Sequence, residues 1–213
     1  ATGNSYVVAR DIAQRIDGIL QSIPLKLVDK KIAPEGDVIG IVFPTYFVFN
    51  GGLPLIIKRF VESLEDIESK YIFAVCTYGT FQGATIGNID ELIKISGAKL
   101  SAGYAVQMPY NYTSWSGKVV PIPNDKQISM FRKWNEKLET IGEIVARREE
   151  SALETSGAIL RMVTNIINNL GGKNFVKEHY QKKAGIHKSS RVAFDEVLPK
   201  MDRSFHHDSN CSS

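Results

Sequence analysis

Asp37-Val38-Ile39-Gly40-Ile41-Val42-Phe43-Pro44-Thr45-Tyr46 is the stretch that decides the fold. The run from Val38 to Phe43 holds no polar side chain and is stopped by a proline. A strand wetted on one face would alternate apolar with polar residues, so this one reads as a strand covered on both faces. The period then changes. Leu53, Ile56, Ile57, Phe60, Val61 and Leu64 recur at helical spacing, with Lys58, Arg59, Glu62 and Glu65 between them. That spacing predicts a surface helix with one buried stripe.

The same order recurs downstream. Tyr71-Ile72-Phe73-Ala74-Val75-Cys76 predicts a second buried strand and Thr77–Gly83 a glycine-bearing loop. Ile86, Ile89, Leu92 and Ile93 predict a helical stripe ended at Gly97, and Lys99–Met108 a third strand stopped by Pro109. Strands alternating with helices pair in parallel through right-handed crossovers, which predicts an α/β three-layer sandwich with its ligand at the carboxyl ends of the strands. Upstream, Val8, Ala9, Ile12, Ala13 and Ile16 form one helical face that starts almost at residue 1. Beyond Pro123, Ile128, Phe131, Trp134, Leu138, Ile141 and Val145 predict the last core helix. Ala158, Leu160, Val163, Ile166, Ile167 and Leu170, closed by Gly171-Gly172, predict an added C-terminal helical arm.

Composition narrows the function classes. The 213 residues are 43% apolar and 23% charged with a formal charge of +3, an ordinary globular balance. The charge is too small and too evenly spread to point to nucleic acid or an anionic membrane. No apolar run approaches the roughly 18 residues a bilayer span needs. Two cysteines, Cys76 and Cys211, make no disulfide framework, and the expected location is the reduced cytoplasm. Cys76 ends an apolar strand and reads as a small buried hydrophobe. His206, His207 and Cys211 read as a solvated tail rather than a zinc site, so no metal ligands are expected. Marker sets of hydrolases, P-loop NTPases and zinc proteases do not occur, and no residue is assigned a catalytic role.

In a parallel sheet three loops converge at one edge. Thr2-Gly3-Asn4-Ser5 sits at the mouth of a helix, where free N–H groups and the positive helix end favour an anion; an ordinary helix cap is the simpler reading of these four residues alone. Pro44-Thr45-Tyr46-Phe47-Val48-Phe49-Asn50-Gly51-Gly52 brings rings and glycines to a strand end, with Tyr46 or Phe47 free to stack on a planar heterocycle and Phe49 read as a plug under the next helix. Thr77-Tyr78-Gly79-Thr80-Phe81-Gln82-Gly83 repeats the recipe.

Taken together, these loops resemble those of the flavodoxin family. A phosphate loop of the form Thr-Gly-Asn-Ser opens the first helix there, and two later loops hold the flavin ring of FMN. The closer resemblance is to the flavodoxin half of fused flavodoxin–ferredoxin proteins. It is carried by the phosphate loop, Phe43-Pro44-Thr45-Tyr46-Phe47, Gly52-Leu53-Pro54, Thr77-Tyr78-Gly79 and Met108-Pro109-Tyr110-Asn111-Tyr112. The resemblance covers residues 1 to 150. It implies three parts: a flavodoxin-like FMN-binding domain at 1–150, a helical extension at 151–204 and a junction at 205–213 toward a ferredoxin module. Cys211 would stand where the first cluster ligand falls, with 4Fe-4S clusters in the complete fusion protein and no iron–sulfur cluster in this chain.

The implied cofactor is FMN, held by Thr2, Gly3, Asn4 and Ser5 at the phosphate and by Pro44, Thr45, Tyr46, Phe47, Asn50, Gly51, Thr77, Tyr78 and Gly79 around the ring. The implied role is electron transfer with a ferredoxin-type iron–sulfur partner. Two alternatives stand beside it. One is an NAD(P)H-dependent quinone or small-molecule reductase with Tyr110, Asn111, Tyr112 and Trp115 as substrate walls; the other is a cofactor-less interaction domain. The family's sheet has strand order 2-1-3-4-5. Its first strand, which precedes the phosphate loop, is absent from this chain, and Arg191-Val192-Ala193-Phe194 is a poor late substitute.

Overall fold

A computed structural model of the chain describes residues 3–29, 31–46, 52–109 and 122–155. All of them belong to the first of two compact units, Ala1–Leu170. The element order is α1 (Asn4–Arg15), α2 (Ile23–Lys26), β1 (Val38–Pro44), α3 (Leu55–Glu62), β2 (Tyr71–Tyr78), α4 (Thr85–Ile95), β3 (Leu100–Gln107) and α5 (Asn124–Ala146). The three strands form one parallel sheet in the order β1-β2-β3, with Val38 opposite Tyr71 and Cys76 opposite Ala105.

Two apolar clusters make this a three-layer α/β protein. Alternate residues of β2 face opposite ways: Ile72, Ala74 and Cys76 toward α3 and α4, and Tyr71, Phe73 and Val75 toward α1 and α5. Ile57 and Val61 of α3 and Ile86, Ile89 and Ile93 of α4 close the first side; Val8 and Ile12 of α1 with Trp134, Ile141 and Val145 of α5 close the second. β2 is buried along nearly its whole length, as the central strand of a doubly covered sheet must be. Each such fully buried Ile or Phe contributes about 1.5–3 kcal/mol relative to exposure.

Four details differ from the sequence reading. β2 runs on through Thr77 and Tyr78, expected in the loop, because Thr77 O still accepts Thr45 N at 2.8 Å and Tyr78 O accepts Met108 N at 2.9 Å. In α3 the buried stripe is narrower than its pattern, and Ile56 stays 40% exposed. In α5, Ile128 and Phe131 are 68% and 44% exposed. This helix of 23 residues is about 35 Å long, longer than the roughly 27 Å of the 8 residues of β3, and its buried residues begin only at Trp134.

The fourth difference is the number of strands. Where the resemblance implies the order 2-1-3-4-5, the described residues hold a three-stranded parallel sheet in which β1 is an edge. Ile23–Lys26, a stretch to which the sequence reading gave no element, is a short helix. Pro24 suits a first helical turn. The arm from 158 to 170, Arg191–Phe194, His206, His207 and Cys211 lie outside the described residues.

Candidate functional site

The carboxyl ends of all three strands meet the start of α1 at one rim. Ser5 Oγ and Thr77 Oγ1 share a hydrogen bond of 2.7 Å, and Asn4 Nδ2 donates to Pro109 O at 2.6 Å, so the first turn of α1 is tied to the ends of β2 and β3. Thr45 N donates to Thr77 O, which ties in the end of β1. Gln107 Nε2 donates to Gly79 O at 3.0 Å and holds the loop after β2 against β3.

Among the described residues, nothing is seen to pair the first N–H groups of α1. Gly3 is left-handed with φ 79°, and no side chain caps the helix. The first turn carries no acidic residue. The first intrahelical bond is Val7 N to Gly3 O at 3.0 Å, so the N–H groups ahead of it point outward at the positive end of the helix. The Asn4 amide nitrogen is already committed to Pro109, and the hydroxyls of Ser5 and Thr77 have one proton engaged between them. Backbone N–H groups are therefore the main donors here.

The loop after β1 is pinned at its base. Tyr46 N donates to Gly52 O at 3.0 Å, and Gly52 sits at φ +76°, a conformation that favours glycine. A Cβ on Gly52 would lie 1.9 Å from Thr85 Oγ1, so the backbone passes against that hydroxyl. Thr85, at the start of α4, is fully buried; its Oγ1 accepts from Thr45 Oγ1 at 3.3 Å and donates to Gln82 O at 2.6 Å. Gln82 Oε1 is buried without a hydrogen-bond partner among the described residues. An orphaned acceptor of this kind costs about 1–3 kcal/mol.

Gly3, Asn4, Ser5, Pro44, Thr45, Thr77, Tyr78 and Gly79 thus lie at the one rim, as does Tyr46. The Tyr46 ring is 48% exposed and so has free surface for stacking. Tyr78 is half-buried, packs on the α3 and α4 side of the core, and burial raises its phenol pKa. It also lines a cavity of about 210 Å³ with Gln107, Met130, Lys133, Trp134 and Lys137. Thr2, Phe47, Phe49, Asn50, Gly51, Tyr110, Asn111, Tyr112 and Trp115 lie outside the described residues.

Sequence reasoning missed Thr85 and gave Gln82 no role. The available signal was the step from Gly83 into a helix flanked by Gln and Thr, which reads as ordinary capping without the tertiary contact to Thr45 and Gly52. Cys76 is fully buried, and burial pushes its thiol pKa up to about 12, which makes it an inert core residue. None of the described rim residues carries a formal charge. Among the described residues no group of three His, Cys, Asp or Glu side chains could hold a metal ion, and no helix is long and apolar enough to cross a membrane. No family model, no curated protein and no solved structure matches the chain.

Proposed function

We propose that this chain is an FMN-binding electron-transfer domain on a flavodoxin-like sandwich, exchanging electrons with a ferredoxin-type iron–sulfur module in the cytoplasm. The observation that carries this reading is the tying of the start of α1 to the carboxyl ends of β1, β2 and β3 through Ser5–Thr77, Asn4–Pro109 and Thr45–Thr77. When bound, FMN supplies reversible one- and two-electron transfer, so the protein needs no acid, base or nucleophile of its own.

The residues present suit that group. The N–H groups of the first turn of α1 match a phosphate, and Gly3 leaves open space where a side chain would stand. Tyr46 offers a half-exposed ring, and the orphaned Gln82 oxygen calls for a donor that the described residues do not supply. The work of the chain is to hold the phosphate end against α1, to orient the ring between the loops that follow β1 and β2, and to limit water around it. Where the ring is desolvated, burial disfavours added negative charge on it, which lowers its reduction potential.

Titration of the purified protein with FMN and with riboflavin tests this. Expected is quenching of flavin fluorescence with a Kd of about 1 μM or tighter for FMN, roughly 8 kcal/mol of binding free energy, and weaker binding of riboflavin, which lacks the phosphate. At about 100 times Kd the fold should gain about 2.7 kcal/mol. A protein that binds neither flavin overturns the proposal and leaves the interaction-domain reading.

A further inference from the structure

We propose that the cavity between the carboxyl end of β3 and the middle of α5 binds a small organic carboxylate, held by the Gln107 backbone N–H and the Lys133 ammonium beside an apolar wall. The proposal goes beyond the flavin reading and does not depend on it, since β3 and α5 supply both donors. It starts from a carboxylate the chain already holds. At the outer edge of β3, Glu154 Oε2 accepts Ala105 N at 2.9 Å and pairs with Lys137, whose Nζ also donates to Ala105 O at 2.9 Å. One strand N–H and one helix ammonium together bind that carboxylate through charge-assisted bonds.

The same pair of donors recurs one step toward the rim. Backbone groups of a strand alternate between its two edges, and Met108 N is turned inward to Tyr78 O at 2.9 Å, so the Gln107 N–H faces outward like that of Ala105. α5 passes β3 in the opposite sense: Lys137 meets Ala105, and the earlier residues Met130 and Lys133 share the cavity with Gln107. From Lys137 back to Lys133 is about 6 Å along the helix, and from Ala105 on to Gln107 about 6.6 Å along the strand. The second N–H and the second ammonium therefore stand in nearly the same relation as the first.

Among the described residues no carboxylate lines this second position. Lys137 is neutralised by Glu154, whereas Lys133 has no ion-pair partner there. In its place is the cavity of about 210 Å³. Trp134 is 3% exposed and its Nε1 donates to Asp11, so it offers the cavity only ring surface, to which Val106 and Met130 add. The volume falls below the roughly 300–1,000 Å³ of ordinary ligand pockets, which suits a small acid with an apolar body rather than a nucleotide.

An amide-resolved NMR titration with benzoate and with its neutral analogue benzamide tests this. Benzoate should bind with a Kd of about 1 mM or tighter, shifting the Gln107 amide and the Trp134 indole, and benzamide should bind about tenfold more weakly or less. Lys133 is exposed, so Lys133→Met should keep the fold; it should weaken benzoate about tenfold and leave benzamide unchanged. Lys126→Met, on the same helix but outside the cavity lining, should change neither. The proposal is overturned if benzoate does not bind, if the two ligands bind equally, or if Lys126→Met weakens benzoate as much as Lys133→Met. Should Lys133→Met fail to fold, the comparison of the two ligands on the wild type decides alone.

Discussion

Among the described residues, the two edges of the sheet are finished in opposite ways. On the β3 side, residues 149–155 run along the strand as a strap. Ser151 N donates to Ser101 O at 3.0 Å and Glu154 N to Gly103 O at 2.8 Å. The Glu154 carboxylate accepts Ala105 N at 2.9 Å and pairs with Lys137, which in turn donates to Ala105 O at 2.9 Å. Leu153 packs onto the core there. On the β1 side, Asp37 O and Thr45 N bond to β2, so the odd-numbered residues face inward and Val38, Gly40 and Val42 turn their N–H and C=O groups outward. Gly40, at mid-strand, is exposed. Pro44, also outward, has no N–H to offer, a common way to blunt an edge. The connection leading into β1 leaves Ile19, Leu25 and Val28 between 75% and 87% exposed.

The contrast teaches that sealing an edge takes more than apolar strands: it takes a second segment with donors, acceptors and a charge pair at the right register. Hydrogen exchange gives the largest expected effect. The Gly40 amide should exchange on the order of 100-fold or more faster than that of Ala105, whose N–H is held by Glu154. Equal protection would mean that β1 is covered in solution.

Glu154→Ala should come next. It strips the buried Ala105 N–H of its acceptor and Lys137 of its partner, and a loss of about 1–3 kcal/mol in denaturant unfolding is expected. Glu154→Gln keeps an acceptor and should lose less. No change with Glu154→Ala would mean that the strap contributes little to closing its edge.

The smallest effect concerns the anchor of the strap. Tyr71 Oη donates to Glu149 O at 2.7 Å, and Tyr71→Phe should lose about 0.5–1.5 kcal/mol at neutral pH. The Tyr71 phenol is pushed up to about 12, chiefly by burial, from its ordinary 10.0. Folding therefore favours the neutral phenol: its contribution is complete below pH 10 and is lost as pH rises through about 12. Cys76 acts the same way from 9.0 up to about 12. Thermal midpoints followed from neutral to alkaline pH should fall across this window, and Tyr71→Phe should flatten the part that begins near 10. A Tyr71→Phe profile parallel to wild type would show that the phenol does not drive the alkaline loss.

Much of the fold was legible because its signals are local. The unbroken apolar run from Val38 to Phe43, the stripe at Ile86, Ile89, Leu92 and Ile93, and the stops at Pro44, Gly97 and Pro109 each follow from burial periodicity and backbone stereochemistry. The rim was legible in part, since parallel crossovers bring strand ends together whatever the loops contain. Thr85, Gln82 and the strap were not legible. Their roles come from partners 40 to 50 positions away, Thr45 for Thr85 and Ala105 for Glu154, and no spacing rule encodes such a pair.

By itself, then, the sequence determined the alternation of strands and helices, the parallel sense of the sheet and the uncharged character of its loops, all of which are set by neighbours along the chain. Only the tertiary structure decided which strand ends the start of α1 is tied to and, among the described residues, which edge of the sheet is sealed and which buried acceptor lacks a partner. Hydrogen bonds and ion pairs are settled by distance and direction in space, and those exist only once the chain has closed on itself.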